Sequence, residues 1–409
     1  MKNLLLSIAI MLVANVTFGQ DSSSTKSIKD TNALIKPSEL RANERIFNNK
    51  KKGKLKLGGY GEVDYNQGVS EQKNGNLDVH RLVMFMGYQF SKKTQFVSEI
   101  EFEHVKEVYV EQAFLRHKLT SSINFNAGLM LVPMNFINEY HEPTFFYSVE
   151  RPNLDNKVAP STWREIGAGF SGNIQLAKLK YQLYIMGGFN GFSGGNSKFK
   201  GSNGLRGGRQ KGAKAIASSP TFAGKVNFYG VRSLKVGLAY YGGKSQSDLF
   251  DGLNKSDVAG NAAADSSIVG ISMVGLDLQY NKRGFTFKGQ LNHVAISNTD
   301  QYNVYGGSNL GSEMFGYYAE FGFDLFSLSK KAKGGLIPFV RLEQYNTHQT
   351  VYSSTINNDA YNVFEVITGL NWRVAKGAVI KLDYQMTQNK AKPTEWTNFI
   401  NAGVGFNLQ

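Results

Sequence analysis

From Lys54 onward apolar and polar residues alternate with a period of two, the spacing of strands whose two faces meet different surroundings. Near 377–388, Ile380, Leu382, Tyr384 and Met386 share one face, and Lys381, Asp383, Gln385 and Thr387 the other. Near 285–296, Phe285, Phe287 and Leu291 oppose Thr286, Lys288, Gln290 and Asn292. The pattern predicts strands at about 54–66, 79–90, 93–104, 106–119, 122–131, 163–174, 178–190, 220–230, 233–243, 268–281, 285–296, 313–327, 335–347, 361–374, 377–388 and 395–408. Only the strand at 106–119 lacks clean parity, so Arg116 and Lys118 take no assigned face.

The connections sort into two kinds. Ser91-Lys92, Thr120-Ser121, 174–177, Val231-Arg232, 281–284 and Lys376 are short, and long polar stretches at 67–78, 132–162, 191–219, 244–267, 297–312 and 348–360 alternate with them. The link near Val105 is the one exception, being short where a long one is due. Short turns on one rim and long loops on the other are the layout of an outer-membrane barrel. Sixteen strands enclose too much volume for side chains to fill, so the polar face is expected to line water and the apolar face to meet lipid. The expected fold class is therefore all-β, a transmembrane antiparallel β-barrel of about sixteen strands.

The segment 132–162 carries four of the eight prolines, Pro133, Pro143, Pro152 and Pro160, and so cannot continue either neighbouring strand. A structureless insertion of this length is usually functional. The expectation is an inward-folded third extracellular loop that narrows the mouth; the competing reading is a surface loop that touches nothing.

Composition supports the membrane assignment. Gly (44), Phe (28) and Tyr (20) are abundant, and helical periodicity is almost missing. Residues 1–19 read as a signal peptide, with Lys2, an apolar Leu4–Val13 stretch and small residues near Gly19. Residues 20–53 read as a flexible periplasmic segment, with a short helix near 37–47 capped by Ser38. No cysteine is present, which removes disulfides and a lipidated cysteine. The net charge of +14 suits anionic lipid or anionic solutes, and export argues against nucleic acid.

By parity the inward charges are mixed. Basic positions are Lys54, Lys56, Arg81, Lys225, Lys235, Lys288, Arg341, Arg373 and Lys381; acidic ones include Glu62, Asp64, Glu99, Glu101, Glu103, Asp277, Glu320, Asp324, Glu343, Glu365 and Asp383. Many are expected to pair across strands. In or beside the proline-rich segment, Arg151, Lys157 and Arg164 are the candidates for a basic ring at the constriction. Glu139, Glu142 and Glu150 share that segment, so a mixed transverse field is the alternative. The glycine-rich loop 191–219 holds Lys198, Lys200, Arg206, Arg209, Lys211 and Lys214 with no acid. It suits either an entrance that concentrates anions or a solvated loop that touches lipopolysaccharide.

No catalytic motif, cofactor site or phosphate-binding glycine loop is found, so no enzyme is expected. Glu139-Tyr140-His141-Glu142 lacks the helical spacing of a zinc helix, so no metal is expected there.

The stretch EQAFLRHKLTSSINFNAGLMLVPMNFINEYHEPTFFYSVERP at Glu111–Pro152 resembles the phosphate-selective porin O/P family, as do GYGEVDYN at Gly59–Asn66 and the ending GVGFNL. The resemblance implies a sixteen-stranded homotrimeric porin admitting small anions such as phosphate or pyrophosphate. A structural or adhesive barrel plugged by its loops and binding a surface polymer is the alternative.

Overall fold

The computed structural model describes Phe47, residues 54–69 and residues 74–408. The expected signal peptide, the helix near 37–47 apart from Phe47, and nearly all of the N-terminal segment lie outside the described residues. Sixteen strands form a closed antiparallel ring. In chain order they are β1 (Leu55–Gly68), β2 (Asn76–Gln89), β3 (Thr94–Glu103), β4 (Glu107–Lys118), β5 (Asn124–Leu131), β6 (Arg164–Ile174), β7 (Leu179–Met186) and β8 (Thr221–Phe228). Then come β9 (Leu234–Lys244), β10 (Gly270–Lys282), β11 (Phe285–Ser297), β12 (Glu313–Phe323), β13 (Gly335–Thr350), β14 (Asn362–Ala375), β15 (Ala378–Asn389) and β16 (Thr397–Leu408). Each pairs with its sequence neighbour, and β1 closes on β16 from Gly59↔Leu408 to Gly68↔Phe399. A closed ring leaves no edge strand with unsatisfied backbone groups, the condition for a sheet to cross a membrane.

The strands match those read from the alternation to within a few residues. The turn between β10 and β11 shows why the short rim is tight. Lys282 pairs with Phe285, and the two residues between, Arg283 and Gly284, have φ of 52° and 85°. Positive φ at both central positions matches the twist of a two-residue hairpin.

Parity holds along most of the ring. Leu82, Met84, Leu238, Leu276, Ile380, Leu382 and Val404 are exposed on the outside. Arg81, Lys225, Asp277, Glu320, Arg341, Glu343, Glu365, Lys381 and Asp383 are buried on the inside. Exposed apolar residues around a closed ring with buried charge within require lipid as the outer solvent.

Asp324 follows β12, and its carboxylate accepts from the N–H groups of Phe326 and Leu336, both at 3.1 Å, capping a short helical turn. Lys54 precedes β1 and is exposed. One expectation needs correction: the inner face is not polar throughout. Toward the long-loop rim of β9 to β12 it carries Tyr241, Ile271, Met273, Val294, Ile296 and Met314, all buried. These form one apolar cluster with Phe136, Ile137, Leu154, Val158, Trp163, Phe189, Phe199 and Leu205 from the long connections. Part of the lumen is thus a dry core, filled by chain rather than water.

The broken parity of β4 also has a cause. Glu99 pairs with Gln112, but Ile100 pairs with Val110, so Glu111 is the extra residue of a β-bulge. A bulge sends two consecutive side chains the same way, and Glu111 and Gln112 are both buried.

An arginine placed on the lipid side near the middle of β15, Leu382→Arg, is expected to lower folding free energy in vesicles by about 2–4 kcal/mol. Urea titration reads it; a loss within about 0.5 kcal/mol, as for an ordinary surface change, contradicts a lipid-facing Leu382.

Candidate functional site: the inner face and the segment 132–162

Prolines break the segment after β5 into short pieces, leaving only α1 (Asn135–Glu139) and α2 (Leu154–Lys157) as regular structure. Asn138 ties its two ends together. Its amide Nδ2 donates to the carbonyls of Val132 (2.8 Å) and Trp163 (3.0 Å), and its Oδ1 accepts from Trp163 N–H at 2.9 Å.

The segment then meets the inner face of strand after strand. Glu139 is 2.9 Å from Lys225 Nζ on β8, which also lies 2.8 Å from Asp277 on β10. Asn135 and Asn292 on β11 bond reciprocally at 3.1 and 3.0 Å. The Leu154 N–H donates to Glu343 on β13, and Asn153 Nδ2 to both oxygens of Glu365 on β14 at 2.9 and 3.0 Å. Lys288 donates to Phe145 O at 2.6 Å, Asn371 to Tyr147 O at 3.1 Å, and Lys381 to Ser148 O at 2.8 Å. The Arg341 guanidinium reaches Ser148 Oγ and Glu150 O. Buried donors here find carbonyls that would otherwise be orphaned, since an irregular backbone has no ladder of its own.

Aromatic rings reinforce the same contacts. Lys381 Nζ lies 3.7 Å from the Phe146 ring centroid, Lys288 4.1 Å from Tyr147 and Lys235 4.5 Å from Tyr140. A cation over a ring face is attracted by the ring quadrupole, the more so when desolvated. Lys288 and Arg341 also contact Glu320 at 3.1 and 3.7 Å.

Beside the segment lies a cavity of about 480 Å³. Its charged lining is Arg81, Arg151 and Arg206 against Glu62, Glu103, Glu150 and Glu365, with His80 between; Asn66, Asn153, Gln385, Thr387 and Asn401 add neutral polar surface. Arg81 is compensated, 2.8 Å from Glu62 and 3.0 Å from Glu101. Arg151 shares Glu62 at 3.8 Å and donates to His141 O at 3.1 Å. Arg206 forms no ion pair among the described residues, and its Nη1 has no hydrogen-bond partner there. Burial, then the facing Arg151, pulls the Arg206 guanidinium down to about 10. Burial, with Arg206 and Arg164 close by, pulls Arg209 down to about 9.

The other expected site residues are dispersed. Lys157 turns to Ser202 O (3.2 Å) and Asn203, and Arg164 is buried over the Tyr109 ring; neither lines the cavity. Arg373 lies over Tyr147 at 5.8 Å. In the glycine-rich loop, Lys200 and Lys214 are exposed and Lys198 is half-buried. Lys211 lies over Tyr109, while Arg209 donates to Ser161 O at 2.6 Å and Thr162 Oγ1 at 2.8 Å. The functional residues missed in the sequence are the clamp Asn138, the bulged Glu111 and the aromatic run Phe145-Phe146-Tyr147. Only the bulge left a signal, as the missing parity of its strand.

No family model matches the chain. A curated protein of Aquifex aeolicus (strain VF5), described only as uncharacterized, is 33% identical over 216 residues, which is 51% of this chain and 48% of that protein. The chain thus spans about half the length of that relative. Among solved structures, the outer membrane channel DcaP of Acinetobacter baumannii superposes with a TM-score of 0.55 at 10% identity, covering 88% of this chain and 99% of that one. An anion-selective porin from Comamonas acidovorans gives 0.52 at 10% identity, covering 86% and 99%. Taken with the apolar exterior, these likenesses show the fold: an outer-membrane β-barrel of the porin type.

Two outcomes follow from the buried contacts. Lys225→Met leaves Glu139 and Asp277 facing each other without their shared cation and is expected to cost about 3–5 kcal/mol, read as a lower urea midpoint of the folded barrel; an unchanged midpoint contradicts the pairing. Burial raises the Asp155 carboxyl to about 7. A carboxyl raised on folding binds more protons in the folded than in the unfolded chain, so its contribution to stability falls as pH rises from about 4 to about 7. Asp155→Asn is expected to gain stability relative to the parent across that window, and a constant difference contradicts it.

Proposed function

We propose that this chain is a porin for passive diffusion of small polar solutes, with small anions such as phosphate or pyrophosphate favoured. In this reading the segment 132–162 sets the narrowest point. The observation that carries it is the polar cavity between that segment and the inner face of β1, β2, β14, β15 and β16. Two arginines that line it, Arg151 and Arg206, are the least compensated of its cations. Positive potential confined between low-dielectric walls raises the local concentration of anions. Guanidinium N–H groups replace water around an oxyanion in a fixed, bidentate geometry. Arg81, Lys288, Arg341 and Lys381 act in this reading as scaffolding, because carboxylates or backbone carbonyls already hold them. Wall acids such as Glu62 and Glu365 keep the preference modest. The homotrimer implied by the family resemblance, and contact with lipopolysaccharide, belong to the same proposal.

A second reading, a plugged structural or adhesive barrel, is favoured by the apolar cluster that fills part of the lumen. Planar-bilayer recordings under a salt gradient separate the two. The channel reading expects open conductance with a reversal potential on the anion side. It expects a several-fold loss of anion-to-cation permeability in Arg151→Ala combined with Arg206→Ala. Cation preference in the parent, or an unchanged potential in the double variant, overturns the anion assignment; absent conductance favours the plug.

A further inference from the structure

The inward segment brings His141 against two carboxylates that the sequence keeps far from it, Glu99 on β3 and the bulged Glu111 on β4. One ligand atom from each lies within 4.8 Å of the others, and all three residues are buried. His141 Nδ1 is 3.1 Å from the carbonyl of Asn138, which can only accept, so Nδ1 carries a proton. Nε2 then faces Glu111 Oε2 at 3.2 Å, and a carboxylate oxygen is also an acceptor. Two acceptors at this separation require a second proton or a cation between them.

The remaining contacts decide between these. A proton on Nε2 answers one oxygen. It leaves Glu111 Oε1 and the Tyr60 hydroxyl, both buried and without a hydrogen-bond partner among the described residues. Tyr60 meets the His141 ring edge-on at 5.9 Å. Glu99 has a neutral partner, Gln112 Nε2 at 2.8 Å. Arg81 pairs with Glu62 and Glu101 instead, and among the described residues no lysine or arginine comes within ion-pair distance of Glu99 or Glu111. A doubly protonated His141 pairs with Glu111 but leaves Glu99 without a cation. An unpaired buried carboxylate is costly, whereas a divalent ion satisfies both carboxylates and the imidazole together.

We propose that Glu99, Glu111 and His141 form a Zn²⁺ site that fastens the inward segment to β3 and β4. Imidazole nitrogen with carboxylate oxygens is a zinc donor set. The Nδ1–H to Asn138 O bond is the outer contact that orients a ligating histidine. Bonds of about 2.0–2.2 Å draw the ligand atoms together from their present spacing by small side-chain rotations. The neighbouring group Glu62, Asp64 and His80 is a weaker candidate, because Arg81 already sits on Glu62. The ion also bears on the cavity, since Arg151 donates to the carbonyl of His141.

The test uses the full chain folded in detergent, stripped with a chelator and titrated with Zn²⁺ by calorimetry, with elemental analysis after dialysis. One Zn²⁺ per chain is expected. Glu111→Gln and His141→Ala should each weaken it by well over about tenfold, the lower end of what an outer-shell partner alone costs. His80→Ala should leave it unchanged. X-ray absorption on the zinc-loaded parent, which needs no variant to fold, should show one imidazole nitrogen with carboxylate oxygens. No Zn²⁺ above background, a ligand set without histidine, or binding unaltered by both variants overturns the proposal.

Discussion

Charge buried inside a closed ring must be answered inside it, and the rest of this structure follows from that constraint. The lipid-facing residues are fixed by the solvent outside, and the period of two then sends the polar residues inward. A ring of sixteen strands is too wide for those side chains to meet across it. The segment 132–162 supplies the missing partners. Its carbonyls accept from Lys288, Arg341, Asn371 and Lys381, its N–H groups meet Glu343 and Asp383, and its Glu139 meets Lys225. A backbone broken by proline suits this role, because its unpaired groups remain available to the wall.

The inner face is correspondingly divided. Along β9 to β12, toward the long-loop rim, apolar side chains pack with the segment and with Phe189, Phe199 and Leu205 into a dry cluster. Along β1, β2 and β15 polar residues such as Asn66, His80, Gln385 and Thr387 remain partly open, and the cavity lies there. The same segment therefore has an anchoring side and a side turned to the cavity. Arg151 belongs to the latter, held by the carbonyl of His141 within the segment and by Glu62 on the cavity wall.

Much of the fold was legible in the sequence because strand parity is a local property. Each strand declares its faces without reference to its partners, and the sorting of long and short connections orders the ring. What was not legible depends on contacts far apart in the chain. Nothing near His141 marks Glu99 and Glu111 as its neighbours, because the bulge at Glu111 and the path of the segment bring them together. Asn138 reads as one more polar residue until both ends of the segment are seen to close on it. Parity also did not show that inward positions such as Met273 and Val294 are apolar because another part of the chain covers them. Of the basic residues named in advance, Arg81, Arg151 and Arg206 share the cavity, whereas Lys157 and Arg164 turn to other partners.

The division of the lumen is tested most directly by water access at single positions, which the absence of native cysteine makes practical. Cysteine placed at Gln385 or Thr387, beside the cavity, should react rapidly with a charged, membrane-impermeant thiol reagent on the folded barrel. Cysteine at Met273, in the apolar cluster, and at Leu382, facing lipid, should stay protected until the barrel is unfolded. Equal reactivity at Met273 and Gln385, or protection at Gln385 and Thr387, contradicts a lumen divided into a dry anchor and a wet passage.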